Sequence, residues 1–328
     1  MLRTGRGGEL YKPAVQKYFE DRVVAAFPGW LPINHLAYED ILFVPLSLVP
    51  YGTAYRIFLG FNLLLLVMSA CLLKNWWLVL AFPPVLVALG QGQDSIIMLL
   101  LFCAAMLFME KNRDVLAGAF VGLALFKFQI VLPIAALFFL WKRYRFVGGF
   151  AISATIAVLS SLAITGIREI PYYLRSLFNG AMTGTLGGKL MLTGMPNLRG
   201  LSAAFLSGHW IALLTVVLSL LLLLLAALKS PQNSEQWPIA ILIASLSSYH
   251  FLAHDASLLL IPIALMYEKS WALTLMVPLS ILELSTSYGF LLAIPMLIFT
   301  VTHLLRTSAS DAGFPPLEVN PLLAAEAP

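Results

Sequence analysis

A few polar side chains stand out because they interrupt long apolar stretches. Lys127 lies alone between Leu125-Phe126 and Phe128. A cation placed there is costly unless it reaches water or an anion, so it reads as a candidate phosphate-binding group, with a lysine snorkelling to an interface as the alternative. Arg199 follows Pro196-Asn197 and offers a planar guanidinium suited to phosphate. His250, His254 and Asp255 form the densest polar group, and a four-residue spacing puts the two imidazoles on one face of a helix. Two histidines so spaced can share a metal ion, but no third ligand is evident, so neither a metal nor any other cofactor is expected. His35, Gln91, Gln93, Asn197 and Asp255 are candidate substrate-binding groups. Glu39 and Asp40 are the acids nearest the first long apolar run. Asp255 and Asp94 each open an apolar run, where helix capping is the plain alternative.

The elements that must position these groups are apolar throughout. The chain has 328 residues, of which 60% are hydrophobic and 11% charged, and its mean hydropathy is +0.89. A soluble fold has no interior large enough for that composition, so the expected class is an all-α, multi-pass membrane protein. Cys71 and Cys103 lie inside apolar runs and imply neither a disulfide framework nor a metal cluster. The net charge of +4 comes from basic residues in short connections, not from a nucleic-acid patch.

Eleven or so hydrophobic segments are expected, near 53–73, 76–90, 95–109, 114–126, 128–140, 146–166, 209–228, 238–252, 254–267, 271–284 and 288–305. Several are too short to cross a bilayer unless other protein covers their ends. Taking alternate connections, Lys74, Lys111, Arg113, Lys142, Arg143, Arg145, Lys229, Lys269 and Arg306 fall on one side, and the short connections of the other hold Lys127. The positive-inside rule makes the first side cytoplasmic. The opposite, extracytoplasmic side then collects Gln91-Gly-Gln-Asp94, Lys127, an external loop over 167–208, Tyr249-His-Phe-Leu-Ala-His-Asp255 and Ser285-Thr-Ser-Tyr288, and is the expected working face of a cell-membrane protein. Residues 1–52 form a juxtamembrane segment on that face, 53–305 the membrane domain, and 306–328 a disordered cytoplasmic tail. Gly and Thr in Asn179-Gly-Ala-Met-Thr-Gly-Thr-Leu-Gly-Gly188 suggest a mobile cover over the site, or a plain connector.

Several motifs, in order, resemble glycosyltransferase family 87, membrane enzymes of the GT-C class that include polyprenol-phosphate-mannose-dependent mannosyltransferases. They are Thr4-Gly-Arg-Gly-Gly-Glu-Leu-Tyr11, Leu31-Pro-Ile-Asn-His-Leu-Ala-Tyr-Glu39 leading to Phe43-Val-Pro-Leu-Ser-Leu-Val-Pro-Tyr51, Gly90-Gln-Gly-Gln93, Leu125-Phe-Lys-Phe-Gln129, Pro196-Asn-Leu-Arg-Gly200 and Ser248-Tyr-His-Phe-Leu-Ala-His-Asp255. The sequence departs from the family at Phe128 and at Leu36-Ala37, where prolines are common.

The resemblance implies transfer of a hexose, mannose foremost, from a polyprenyl-phosphate sugar to a glycan or glycolipid acceptor, with membrane lipid as the surroundings and no nucleic acid involved. Such chemistry needs a carboxylate to deprotonate the acceptor, donors or cations for the departing phosphate, and a groove for the lipid tail. No nucleotide loop is required, and none is visible. The family carries its expected general base upstream of the Gly-Arg-Gly stretch, beyond Met1. Arg3, Arg6, Lys12, Lys17 and Arg22 also oppose export of a leader. A hydrophobic segment ahead of Met1 is therefore expected, with insertion through the first hairpin as the alternative. If the chain is complete, Glu39 or Asp40 takes the base's role. Glu39 matches the family pattern, and Lys127, Arg199, His250 and His254 would meet the donor phosphate. A lipid-linked-sugar transporter or flippase and an inactive transferase relative are the competing readings.

Overall fold

A computed structural model describes residues 1–23, 33–183, 192–285 and 287–311. The described residues are helical, with no strand among them. In chain order the helices are α1 (Pro13–Glu20), α2 (Ala37–Asp40), α3 (Tyr51–Leu73), α4 (Trp76–Ala81), α5 (Pro83–Gly90), α6 (Ser95–Glu110), α7 (Asp114–Leu123), α8 (Phe128–Leu140), α9 (Tyr144–Thr165), α10 (Ile170–Thr183), α11 (Leu198–Phe205), α12 (His209–Leu228), α13 (Gln236–Ser247), α14 (Leu260–Met266), α15 (Trp271–Leu279) and α16 (Ala293–Asp311). Short 3-10 turns fill several of the joints.

The apolar runs become helices, but the expectation of eleven spanning segments is not upheld. Among the described residues, four helical stretches are long and apolar enough to cross a membrane: Tyr51–Leu73, Tyr144–Thr165, His209–Leu228 and Gly289–Arg306. A bent pair, Asp114–Leu123 with Leu125–Leu140, makes a fifth if counted as one span. Hydropathy cannot tell a lipid-facing helix from one buried in protein. Leu-rich α12 buries four of its residues, at Ile211, Thr215, Leu222 and Ala226, and leaves Leu213, Val216, Leu220, Leu221 and Leu224 outward. In α13, every residue from Gln236 to Leu246 is buried. The first needs lipid as its solvent; the second has protein on all sides.

Proline shapes the shorter pieces. Pro83-Pro84 starts α5 just after α4, because proline suits a first helical turn and cannot continue the preceding one. The core lies around α6, α8 and α13, where Phe138 stacks on Phe146 at 4.0 Å and both rings flank Trp237.

One tight contact sets the geometry of the site. Gly118 and Gly122 on α7 meet the backbone of α9, and a β-carbon at Gly118 would lie 1.9 Å from the Phe146 carbonyl oxygen. Gly149 returns the contact against Val115. With α7 pinned there, the chain bends by 68° at Ala124–Lys127 into α8. A helix broken within apolar surroundings must satisfy its freed backbone groups. Tyr38 does this: its hydroxyl donates to the Leu123 carbonyl at 2.8 Å and accepts from the Phe126 N–H at 2.9 Å. The Tyr38 N–H in turn donates to Ser161 Oγ on α9 at 3.1 Å. The pre-span segment is thereby attached to the helix break.

Among its described residues, the segment expected as an external loop over 167–208 is largely helical and carries α10 and α11. The Gly/Thr cover falls partly on α10, and its remainder, from 184, lies outside the described residues. Of the expected tail, residues 306–311 continue α16; the rest lies outside the described residues.

Candidate functional site

Three separate elements bring carboxylates to the bend. Lys127 closes the 3-10 turn Leu125–Lys127 and is 3% exposed. Its ammonium pairs with Asp94 Oδ1 at 2.8 Å and with Asp255 Oδ1, and it donates to Ser95 Oγ at 3.0 Å. Ser95 Oγ donates to Asp255 Oδ1 at 3.0 Å. The second Asp255 oxygen accepts from the Leu252 N–H at 3.0 Å.

Asp94 links this group to the pre-span segment, because His35 Nδ1 lies 3.1 Å from Asp94 Oδ2 and 2.6 Å from Glu39 Oε2. Burial opposes the charge of His35, but its bonds to Asp94 and Glu39 outweigh that and raise its pKa to about 10. Burial pushes Glu39 up to about 8, with His35 pulling the other way. Burial likewise raises Asp40 to about 6.

A cavity of about 230 Å³ opens in front of this group, lined by Asn34, His35, Glu39, Asp40, Gln93 and Asp94. Asp40 Oδ2 is buried with no hydrogen-bond partner among the described residues. A larger groove, about 610 Å³, runs alongside, with Val44, Leu46, Val49, Tyr55 and Phe58 among its lining residues. Asp40, Phe43 and Gly92 line both spaces.

The remaining candidates sort by what they touch. His254 Nδ1 lies 2.9 Å from Gln91 Oε1, and its Nε2 3.7 Å from Asp255, so His254 and Gln91 join the main group. Gln93 lines the small cavity, and its carbonyl lies 3.4 Å from Asn62 Nδ2. Asn197 is fully buried with both ends of its amide engaged: Oδ1 accepts from the Gly200 N–H, capping α11, and Nδ2 donates to the Ser248 carbonyl at 2.7 Å. Arg199 donates to the Tyr249 carbonyl at 2.9 Å and lies over the Tyr249 ring. Together Asn197 and Arg199 clamp the 248–250 stretch.

Two expectations change here. His250 and His254 do not share a helical face, because α13 ends at Ser247, Ser248 turns extended, and the next helical turn starts only at Asp255. The side chain of His250 makes no hydrogen bond among the described residues; burial lowers its pKa to about 4, so it is neutral. Lys127 does not snorkel. It is buried against two acids.

Asp94 is the residue the sequence reading passed over. Its side chain makes no capping hydrogen bond at the start of α6 and is instead the hub between His35, Glu39 and Lys127. The available signal was charge balance: a lone lysine in an apolar run needs a buried acid, and of the acids that open apolar runs, Asp94 and Asp255 fall on the same side as Lys127 while Asp114 falls on the other.

Polar chemistry is also not confined to one end. At the far ends of α6 and α7, Arg143 holds Asp114 through two bonds of 2.9 and 2.6 Å and reaches Gln236 at 3.0 Å. Glu235 there pairs with Lys269 at 2.6 Å and His303 at 3.0 Å. A cavity of about 660 Å³ lies beside them.

Fold and site together define a helical membrane protein with a buried acid–base cluster beside an apolar groove. The sequence model of glycosyltransferase family 87 matches residues 40–254, well over half of the chain, and the protein belongs to that family. It is therefore a membrane glycosyltransferase in the broad sense. No curated protein and no solved structure matches it.

Proposed function

We propose that the protein transfers a hexose, mannose foremost, from a polyprenyl-phosphate carrier to a glycan or glycolipid acceptor on the extracytoplasmic side of the cell membrane. The observation that carries this reading is the adjacency of the two spaces. An apolar groove suits a polyprenyl tail, the polar cavity beside it suits a sugar and its phosphate, and Asp40 lines both.

In the proposed reaction the acceptor hydroxyl attacks the anomeric carbon and its proton passes to a carboxylate: the acid expected ahead of Met1 where the chain extends that far, and otherwise Asp40. The bond from that carbon to the phosphate oxygen breaks, and its electron pair leaves with polyprenyl phosphate. Asp40 suits the base because one of its oxygens has no other partner. Glu39 is already engaged with His35 and serves to hold it. Lys127 is spent on Asp94 and Asp255, so its role is to position those acids. Gln91, which lines the groove, and His254, bonded to it, are the proposed hydrogen-bonding groups for the phosphate; His250 lines neither space. Arg199 and Asn197 fix the loop that carries both histidines.

Membranes containing the protein are expected to move label from polyprenyl-phosphate mannose to endogenous acceptor. Asp40→Asn should lower the rate by roughly 10²-fold or more, the usual contribution of a positioned base. Transfer by Asp40→Asn at the wild-type rate would remove Asp40 from the reaction. Absence of transfer from any polyprenyl-phosphate sugar would remove the donor assignment.

A further inference from the structure

A departing phosphate needs positive charge near it, and the site as arranged supplies little. Asp94 and Asp255 pair with Lys127, while Glu39 and the second oxygen of Asp94 meet at His35. Among the described residues Lys127 is the one lysine or arginine paired within this group, and Asp40 adds a further carboxyl at the cavity wall. Carboxyl groups gathered this way are costly to bury as anions without cations beside them, and as anions they would repel the carrier's phosphate.

The donor atoms nearest the cavity are arranged to correct this. One oxygen or nitrogen from each of His35, Glu39 and Asp94 falls within 4.8 Å of the others. His35 Nδ1 is 2.6 Å from Glu39 Oε2 and 3.1 Å from Asp94 Oδ2. These spacings bracket the ~3 Å edge between neighbouring ligands of an octahedral ion about 2.1 Å away, the geometry that oxygen-rich Mn²⁺ sites adopt. Lys127 holds Asp94 by its other oxygen, Oδ1, which leaves Oδ2 turned toward His35. That is the kind of outer support that orients a metal-binding carboxylate. The cavity offers room for further ligands from water or substrate.

We propose that His35, Glu39 and Asp94 bind one divalent cation of the Mn²⁺ or Zn²⁺ kind, open on its cavity side to the phosphate of the lipid-linked donor. The mixed set of one imidazole and two carboxylates suits such borderline ions better than Ca²⁺, which takes six to eight oxygen ligands. An ion held there would place positive charge between the carboxylates and the donor's phosphate. The role of the ion rests on the transferase reading above; its binding does not. The competing way to neutralise the cluster is with protons, one on His35 and one shared by Glu39 and Asp94, and metal binding separates the two.

The test uses the full chain, purified in detergent, stripped with chelator and titrated with Mn²⁺. Loss of the free-ion six-line electron paramagnetic resonance signal reads binding, and equilibrium dialysis gives the stoichiometry. One ion per chain is expected. Glu39→Gln should weaken binding at least tenfold while leaving the Lys127 pairs intact, so it remains informative if Asp94→Asn does not fold. Glu283→Gln, a buried acid on another element, should bind like the wild type. No saturable binding, or binding unchanged in both Glu39→Gln and His35→Gln, overturns the site. Transfer that persists in the chelated protein would overturn the ion's role and leave the transferase reading intact. An ion bound without any transfer activity would do the reverse.

Discussion

Replacing Lys127 with methionine tests the site most directly, because two readings of that residue predict different outcomes. The side chain is 3% exposed and its ammonium is the cation shared by Asp94 and Asp255, which are 5% and 1% exposed. Methionine fills a similar volume but removes the charge, stranding two buried carboxylates. Breaking a buried pair from one side costs about 3–5 kcal/mol. At roughly 2–4 °C per kcal/mol for a large domain, the melting temperature should fall on the order of 10 °C. The assay is thermal unfolding of the detergent-solubilised protein, followed by tryptophan fluorescence with no donor present. The double variant Lys127→Met, Asp255→Asn should recover part of the loss, because the second change removes one stranded charge. A lysine kept for the donor's phosphate would contribute nothing in the donor's absence. Melting of Lys127→Met at the wild-type temperature would therefore refute the pairing and return the residue to phosphate binding.

Three further outcomes follow from the geometry. Tyr38→Phe leaves the Leu123 carbonyl and Phe126 N–H without their shared partner; a loss of about 1–3 kcal/mol is expected in unfolding measurements, with a fall in transfer rate as Glu39 loses its anchor. Gly118→Val forces side-chain atoms into the Phe146 backbone, so the folded yield after gel filtration should drop sharply, whereas valine at Gly60, where nothing lies within 4 Å, should be tolerated. For sidedness, cysteines replacing His250 and Lys142 should react with a membrane-impermeant maleimide from opposite compartments. Labelling of both from one side would remove the extracytoplasmic assignment of the site.

Composition alone was enough to make lipid the solvent, since a chain of this apolar content has nowhere else to place its surface. Local pattern also marked the helices closely: the runs expected at 209–228 and 128–140 are α12 and α8 to the residue. Their number as spans was not legible, because α12 and α13 are both apolar for opposite reasons, one facing lipid and the other enclosed. Local chemistry likewise picked out Lys127, His35, Glu39, His254 and Asp255, each conspicuous against its apolar neighbours. What it could not supply was partnership. Asp94 looks like a helix cap in one dimension, and Lys127 looks like a free cation. Only the close approach of α7 and α9 through Gly118 and Gly149, with Tyr38 bridging the resulting break, brings residues 35–39, 94, 127 and 255 together. Pairing of buried charges depends on distances of a few ångströms between segments far apart in the chain, and those distances are set by packing.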